Sequence, residues 1–256
     1  MPRAETPVRL FVDAALECGA EFAVTDAQAH YLTRVMRRGV GDGVRTFNGR
    51  DGEWLATIVR ADRRTCALGV TTQLCRQRSE SGPILAFAPI RKERLHFVIE
   101  KATELGVATL QPVLTQHAVA PRIVLDRVRA QAIEAAEQCG RLTIPRIAEP
   151  LQLEALIATW LQDRPLFFLD ERGVGRTIAD AARERRAAIV RSAGDIGILV
   201  GPEGGFTEAE ATMIAIAPFV TAISLGPLIL RAETAAIAAL ASWRAFTEDW
   251  RPAISE

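Results

Sequence analysis

Two stretches of this chain bring together residue types that could bind a ligand and act on it. Gly201-Pro202-Glu203-Gly204-Gly205-Phe206-Thr207 follows the apolar run 196–200. Leu225-Gly226-Pro227-Leu228-Ile229-Leu230-Arg231-Ala232-Glu233-Thr234 follows the apolar run 220–225. Glycine lets the backbone turn at positive φ and approach a ligand closely. Two such turns at the C-terminal ends of parallel strands suit a ligand held by main-chain groups. The first turn lacks the Gly-Lys-Ser/Thr of a Walker A loop and is not G-x-G-x-x-G. The second places three apolar residues, Leu228, Ile229 and Leu230, in a loop. They are expected to be covered, by a ligand such as a purine ring or by another part of the protein. Arg231 could stabilise developing negative charge, and Glu233 or Glu203 could accept or orient a proton. On the residues alone, an ion pair at a helix start explains Arg231 and Glu233 as well.

The elements that would carry these turns are legible. Thr207-Glu208-Ala209-Glu210 is a capping box, so a helix is expected from about residue 208. Residues 235–243 contain no charge, which predicts a helix buried nearly all round, as a core element or a subunit interface. Upstream, strands at 84–88, 107–114 and 166–169 alternate with helices at 91–105, 125–139, 151–160 and 177–188. That alternation predicts an α/β fold with a parallel sheet covered on both faces. The first part reads differently. A strand at 9–12 precedes the capping box Thr25-Asp26-Ala27-Gln28, whose helix runs to about residue 36 before Gly39 and Gly41. A hairpin at 44–47 and 54–59 and a strand at 66–70 follow, which suggests a small β-barrel. The polar stretch 76–82 separates the two textures, giving expected domains 1–76 and 83–256.

Composition bounds the function. With 256 residues, 49% hydrophobic and 24% charged, the chain has ordinary globular composition. No apolar run is long enough for a bilayer and no secretory leader is evident, so a cytoplasmic location is expected. Thirty-one Lys and Arg balance 31 Asp and Glu, which excludes coating of nucleic acid by bulk charge. Residues 1–78 nevertheless hold twelve arginines against nine acids, densest at Arg34, Arg37 and Arg38 and at 60–64. Such clusters can meet phosphates. The four cysteines and three histidines are scattered, so neither a metal site nor a disulfide framework is expected.

The two turns also carry a family resemblance. VGPEGGFTEAE and LGPLILRAETA occur with His30-Tyr31-Leu32-Thr33-Arg34-Val35-Met36-Arg37, Lys101-Ala102-Thr103-Glu104-Leu105-Gly106-Val107 and Glu137-Gln138-Cys139-Gly140-Arg141. Together they resemble the RsmE family of SPOUT methyltransferases, which methylate N3 of a uridine in 16S ribosomal RNA. The resemblance runs from the first domain to the end of the chain. It implies a PUA-like RNA-binding β-barrel, then a trefoil-knotted α/β domain that binds S-adenosylmethionine at the knot and forms a homodimer. The small ribosomal subunit would be the partner. Leu169, Val200, Gly201, Pro202, Gly204, Gly205, Leu225, Gly226, Leu228, Ile229 and Leu230 would hold the donor. Arg231 would stabilise charge on the uracil carbonyls, with Glu233 or Glu203 taking the N3 proton. Arg9, Arg34, Arg37, Arg38, His117, Gln138 and Arg141 would meet RNA. Glu137, Gln138 and Arg141 are also explained by the helix ending at Gly140. Two departures stand out: Leu228 replaces a usual arginine, and His117 lies in a loop that typically reads closer to Ser-Glu-Arg-Ser. A SPOUT enzyme acting on a ribose 2′-hydroxyl, or an RNA-binding module without activity, are the alternatives.

Overall fold

The structure is a computed structural model and describes residues 8–62, 65–78, 80–118, 123–172, 175–191 and 195–247. The chain divides into two compact units, Met1–Ser79 with Ala136–Ile144, and Glu80–Ala135 with Pro145–Glu256. Residues 136–144 therefore group with the first unit, whereas the sequence expectation put them in a domain spanning 83–256.

In the first unit, β1 (Val8–Phe11), β2 (Glu21–Ala23), β3 (Gly43–Phe47), β4 (Glu53–Ala61) and β5 (Cys66–Cys75) form one sheet ordered β1-β3-β4-β5-β2. β1 pairs with β3 in parallel, and the other pairs are antiparallel. The hairpin turn between β3 and β4 is set by Asn48, whose Oδ1 accepts from the amides of Arg50 and Asp51, each at 2.9 Å. Gly52 follows at φ +83, where a side chain would strike the Cys75 carbonyl. Thr25 caps α1 (Asp26–His30) through the expected box. The expected single helix to residue 36 instead widens into a π-turn over Tyr31–Val35 and ends with Arg37 at φ 54. Leu32 and Ala29 still reach the core beside Ala56, Ile58 and Leu68.

The second unit holds a parallel sheet of β6 (Ile84–Phe87), β7 (Thr109–Leu114), β8 (Arg146–Ile147), β10 (Leu166–Leu169), β11 (Gly197–Val200) and β12 (Val220–Ile223), ordered β12-β10-β11-β6-β7-β8. A short β9 (Leu151–Gln152) adds to β7. Because strand side chains alternate, one face carries Leu85, Phe87, Phe167, Leu169, Ile198 and Val200, and the other Ala86, Leu166, Phe168 and Leu199. The first face packs on α2 (Lys92–Glu104), α3 (Leu125–Cys139), α5 (Ile178–Glu184) and α8 (Ala232–Thr247). The second packs on α4 (Leu153–Thr159) and α7 (Glu208–Ile216). The helix expected over 177–188 is broken at Arg185, and α6 (Arg186–Arg191) follows. Arg185 turns back to the sheet edge, donating to Thr221 Oγ1 and the Val220 carbonyl. Among the described residues, no helix is long and apolar enough to cross a membrane.

α8 departs from its expectation. Ala236, Ala239, Leu240 and Trp243 are buried, with Trp243 edge-on to Phe167 at 5.9 Å. Ile237, Ala238 and Ala241 are only half-buried, and Phe246 is exposed. Within one chain the uncharged helix has one buried face, not burial all round.

Candidate active site

Parallel strands bring their C-terminal ends to one side of the sheet. There the loops after β10, β11 and β12 enclose a cavity of about 650 Å³. That volume lies within the roughly 300–1,000 Å³ usual for small-molecule sites. Leu169, Val200, Gly201, Pro202, Gly205, Leu225, Gly226, Leu228, Ile229 and Leu230 line it, as do Arg231 and Glu203. Gly204 is outside the lining; its carbonyl oxygen lies 3.1 Å from His117 Nδ1, a hydrogen bond in the tautomer that carries its proton there. His117 thus rests on the glycine-rich loop.

The loop after β11 is held at many points. Thr207 Oγ1 accepts from the Glu210 amide, and Glu210 Oε2 accepts from the Thr207 amide at 2.8 Å. Glu210 Oε1 accepts from the Gln116 amide. Gly205 takes φ +68, and a side chain there would collide with Glu171. At Gly201 a Cβ would sit 2.6 Å from the Phe206 ring. Among the described residues, the loop after β12 is held near its root, where the Ser224 amide donates to the Arg176 carbonyl at 2.8 Å and the Gly226 amide to Ser224 Oγ at 3.3 Å. Beyond Gly226, at φ +109, Leu228 is 76% and Ile229 85% exposed. The expected cover over this apolar loop is not supplied by the described residues of the chain itself.

The carboxylates are organised by an arginine absent from the sequence candidates. Arg94, in the first turn of α2, donates from Nη1 to Glu203 Oε1 at 2.7 Å, and its Nε lies 3.6 Å from Glu233 Oε1. Arg91 Nε stands 3.8 Å from Glu203 Oε2. Glu233 is 13% exposed, and its Oε2 is buried without a hydrogen-bond partner. The ion pair that Glu233 makes is therefore with Arg94, while Arg231 stands exposed on the cavity. No local sequence signal links Arg94 to two carboxylates more than a hundred residues away.

The third wall expected from Leu169 extends past β10 into Asp170, Glu171 and Arg172, which the sequence did not single out. Asp170 is buried and accepts from Arg172 Nε at 2.9 Å and Nη2 at 2.7 Å. The Arg172 hydrogen bond holds the Asp170 carboxyl below the usual carboxylate range, against the opposing effect of burial. Glu171 and Glu208 also line the cavity, close enough to Arg172 for their charges to act on its guanidinium.

The RNA candidates fare unequally. Arg34, Arg37 and Gln138 are exposed, and Arg38 is half-buried. Arg9 is not available as expected: its side chain is 9% exposed, stacked 3.7 Å over Phe47 and bonded to Glu53 at 2.5 Å. Its remaining donors reach the carbonyls of Ala136 and Arg141. A cation so desolvated and satisfied braces the first unit. Arg141 is half-buried and donates from Nε to Thr143 Oγ1 at 3.3 Å, and Glu137 accepts from the Phe11 amide.

This fold and cavity are matched by known proteins. Residues 79–244 fit the family model of the RNA methyltransferase domain, and residues 24–70 that of the RNA methyltransferase PUA domain. The ribosomal RNA small subunit methyltransferase E of Rickettsia conorii is 34% identical over 242 residues, covering 92% of this chain and 94% of that protein. The enzyme of the same name from Synechocystis is 33% identical over 90% of this chain and 74% of its own. Among solved structures, a putative methyltransferase of Legionella pneumophila with bound cofactor SAM superposes with a TM-score of 0.81 at 26% identity, covering 94% and 98% of the two chains. The ribosomal RNA small subunit methyltransferase E of Neisseria gonorrhoeae bound to S-adenosyl methionine gives 0.79 at 25%, with the same coverage. The class is that of the RNA methyltransferases that carry a PUA domain ahead of the methyltransferase domain. Within it, this chain belongs to the ribosomal RNA small subunit methyltransferase E family.

Proposed function

We propose that this chain methylates N3 of a uridine in 16S rRNA of the small ribosomal subunit, using S-adenosylmethionine, as a cytoplasmic homodimer. The observation that carries the reading is the cavity at the strand ends, with Arg231, Glu203 and Arg94 in its lining and Glu233, outside the lining, facing Arg94 with its Oε2 buried without a donor. The lining fits a cationic nucleoside. Leu169, Ile223, Leu225 and Leu230 offer apolar surface for a purine, glycine turns expose main-chain groups, and Glu171 and Glu208 attract positive charge. When bound, S-adenosylmethionine supplies a methyl group activated on a sulfonium.

The protein's part is then positioning and charge. Holding two reactants in line replaces an encounter in solution. Arg231 stabilises negative charge on the uracil carbonyls as N3 loses its proton. Glu203 has both oxygens facing arginines, whereas Glu233 keeps one unclaimed. This favours Glu233 as the proton acceptor, a role typically worth roughly 10²–10⁴-fold. Leu228 and Ile229 exclude water from the mouth once reactants are seated. Arg34 and Arg37 hold phosphates and set register without reading bases. The uncharged outward residues Ile237, Ala238 and Ala241 support pairing with a second copy.

The test is transfer from methyl-labelled S-adenosylmethionine to small subunits lacking the modification, followed by reverse transcription. Label in 16S rRNA with a stop at one uridine is expected, because N3 methylation blocks the pairing edge. Labelled RNA that is read to full length would reassign the target to a ribose 2′-hydroxyl. Neither label nor donor binding would leave an RNA-binding module.

A further inference from the structure

We propose that Arg94 is a positioning residue for this reaction, acting through Glu233; the inference rests on the function proposed above. Its guanidinium is the point at which three separate segments converge. Glu203 arrives on the loop after β11 and Glu233 on the first turn of α8, and Arg94 reaches both from α2, at 2.7 Å and 3.6 Å. The two carboxylates are 18% and 13% exposed, so their mutual repulsion is poorly screened by water. A shared cation between them removes that repulsion and fixes both.

The division of contacts points to which carboxylate is being positioned. Glu203 turns Oε1 to Arg94 and Oε2 toward Arg91, so it anchors the guanidinium. Arg91 is itself largely exposed and contributes little. Glu233 gives Arg94 one oxygen only, and its Oε2 is left buried without a donor. A buried acceptor without a partner is unfavourable and uncommon in folded proteins unless a function uses it. Arg94 itself lines the cavity and Glu233 stands behind it, next in the chain to the lining residue Ala232, so Arg94 orients Glu233 with its second oxygen left unclaimed for a proton. A guanidinium suits the task because its planar fork can face two carboxylates at once, which a lysine ammonium does as a point charge only.

The experiment is a double-mutant cycle on the full-length protein, with small subunits as substrate. Turnover, the dissociation constant for S-adenosylmethionine and the melting temperature are measured for the wild type, Arg94→Ala, Arg94→Lys, Glu233→Gln and Arg94→Ala/Glu233→Gln. Misplacing a reacting group can cost about 10²-fold, and Arg94→Ala is expected to lower kcat by roughly that factor. Donor affinity should stay within about threefold, Arg94→Lys should recover part of the rate, and the double variant should be no slower than Glu233→Gln alone. Losses that multiply in the double variant, or donor affinity that falls in step with kcat, would overturn the proposal and make Arg94 a direct contact. An unchanged kcat in Arg94→Ala would also overturn it. If Arg94→Ala melts below the assay temperature, Arg94→Gln takes its place in the cycle with the same criteria. A wild type that methylates no rRNA removes the underlying function, an outcome distinct from an active wild type with independent losses.

Discussion

The two Gly-Pro turns look alike in sequence and differ in how they are held. The turn at 201–207 is pinned by its capping box, by Gln116, by His117 and by packing of Gly201 and Gly205 against side chains. The turn at 225–231 is pinned, among the described residues, near its root and carries two apolar side chains into solvent. A rigid wall costs no reorganisation when a ligand arrives, which suits donor binding. A less constrained loop bearing Arg231 suits the side of the cavity where the larger substrate must enter and the base must be reached. Similar local sequence thus gives two differently held loops, and the surroundings decide which.

That contrast can be broken at several points. The root of the second loop depends on Gly175, where a Cβ would lie 2.6 Å from the Ser224 nitrogen and closer still to Ile223. Gly175→Ala is expected to destabilise the second unit by about 1–3 kcal/mol, the usual range for overpacking against backbone, as read by denaturant unfolding. On the first loop, Thr207→Ala removes the α7 cap and should cost about 0.5–2 kcal/mol in the same assay. The wall after β10 gives a pH test. Arg172 holds the folded-state Asp170 carboxyl below its unfolded value, so the pair stabilises the fold above the ordinary carboxylate range. That contribution is lost as pH falls from about 4 toward the lower folded value. Urea midpoints taken from pH 7 to pH 3 should fall less steeply at the acid end in Asp170→Asn. Smallest of all, Ile229→Ser at the exposed tip should change stability by less than about 0.5 kcal/mol. A large loss there would show that the second loop is packed after all.

How much of this was readable in the chain depends on the range of the interaction. Both capping boxes, the strand at Leu166–Leu169 and the helix at Leu125–Cys139 are written in contiguous residues, and the structure places them as read. The cavity lining from the two turns was legible for the same reason. Arg94 was not, because its carboxylate partners arrive only when α2 packs beside β11 and α8. Asp170 with Arg172 was missed because a single acid after an apolar strand carries no spacing signal. Arg9 was misread because twelve arginines in the first 78 residues look like a phosphate-binding surplus, yet Glu53 and two main-chain carbonyls claim this one. The π-turn at Tyr31–Val35 escaped because its residues have ordinary helical preferences. Cover for Leu228 and Ile229 could be demanded from composition, but which surface provides it could not.

Donor affinity in Arg231→Ala, set against its turnover, tests the division of labour between the two loops most directly. If the second loop serves the base and not the donor, calorimetry should give a dissociation constant for S-adenosylmethionine within about threefold of wild type. Turnover on small subunits should meanwhile fall by roughly 10²–10³-fold, as for loss of a charge-stabilising donor. Collapse of donor binding with turnover of the bound donor retained would make Arg231 part of the donor wall and contradict the account.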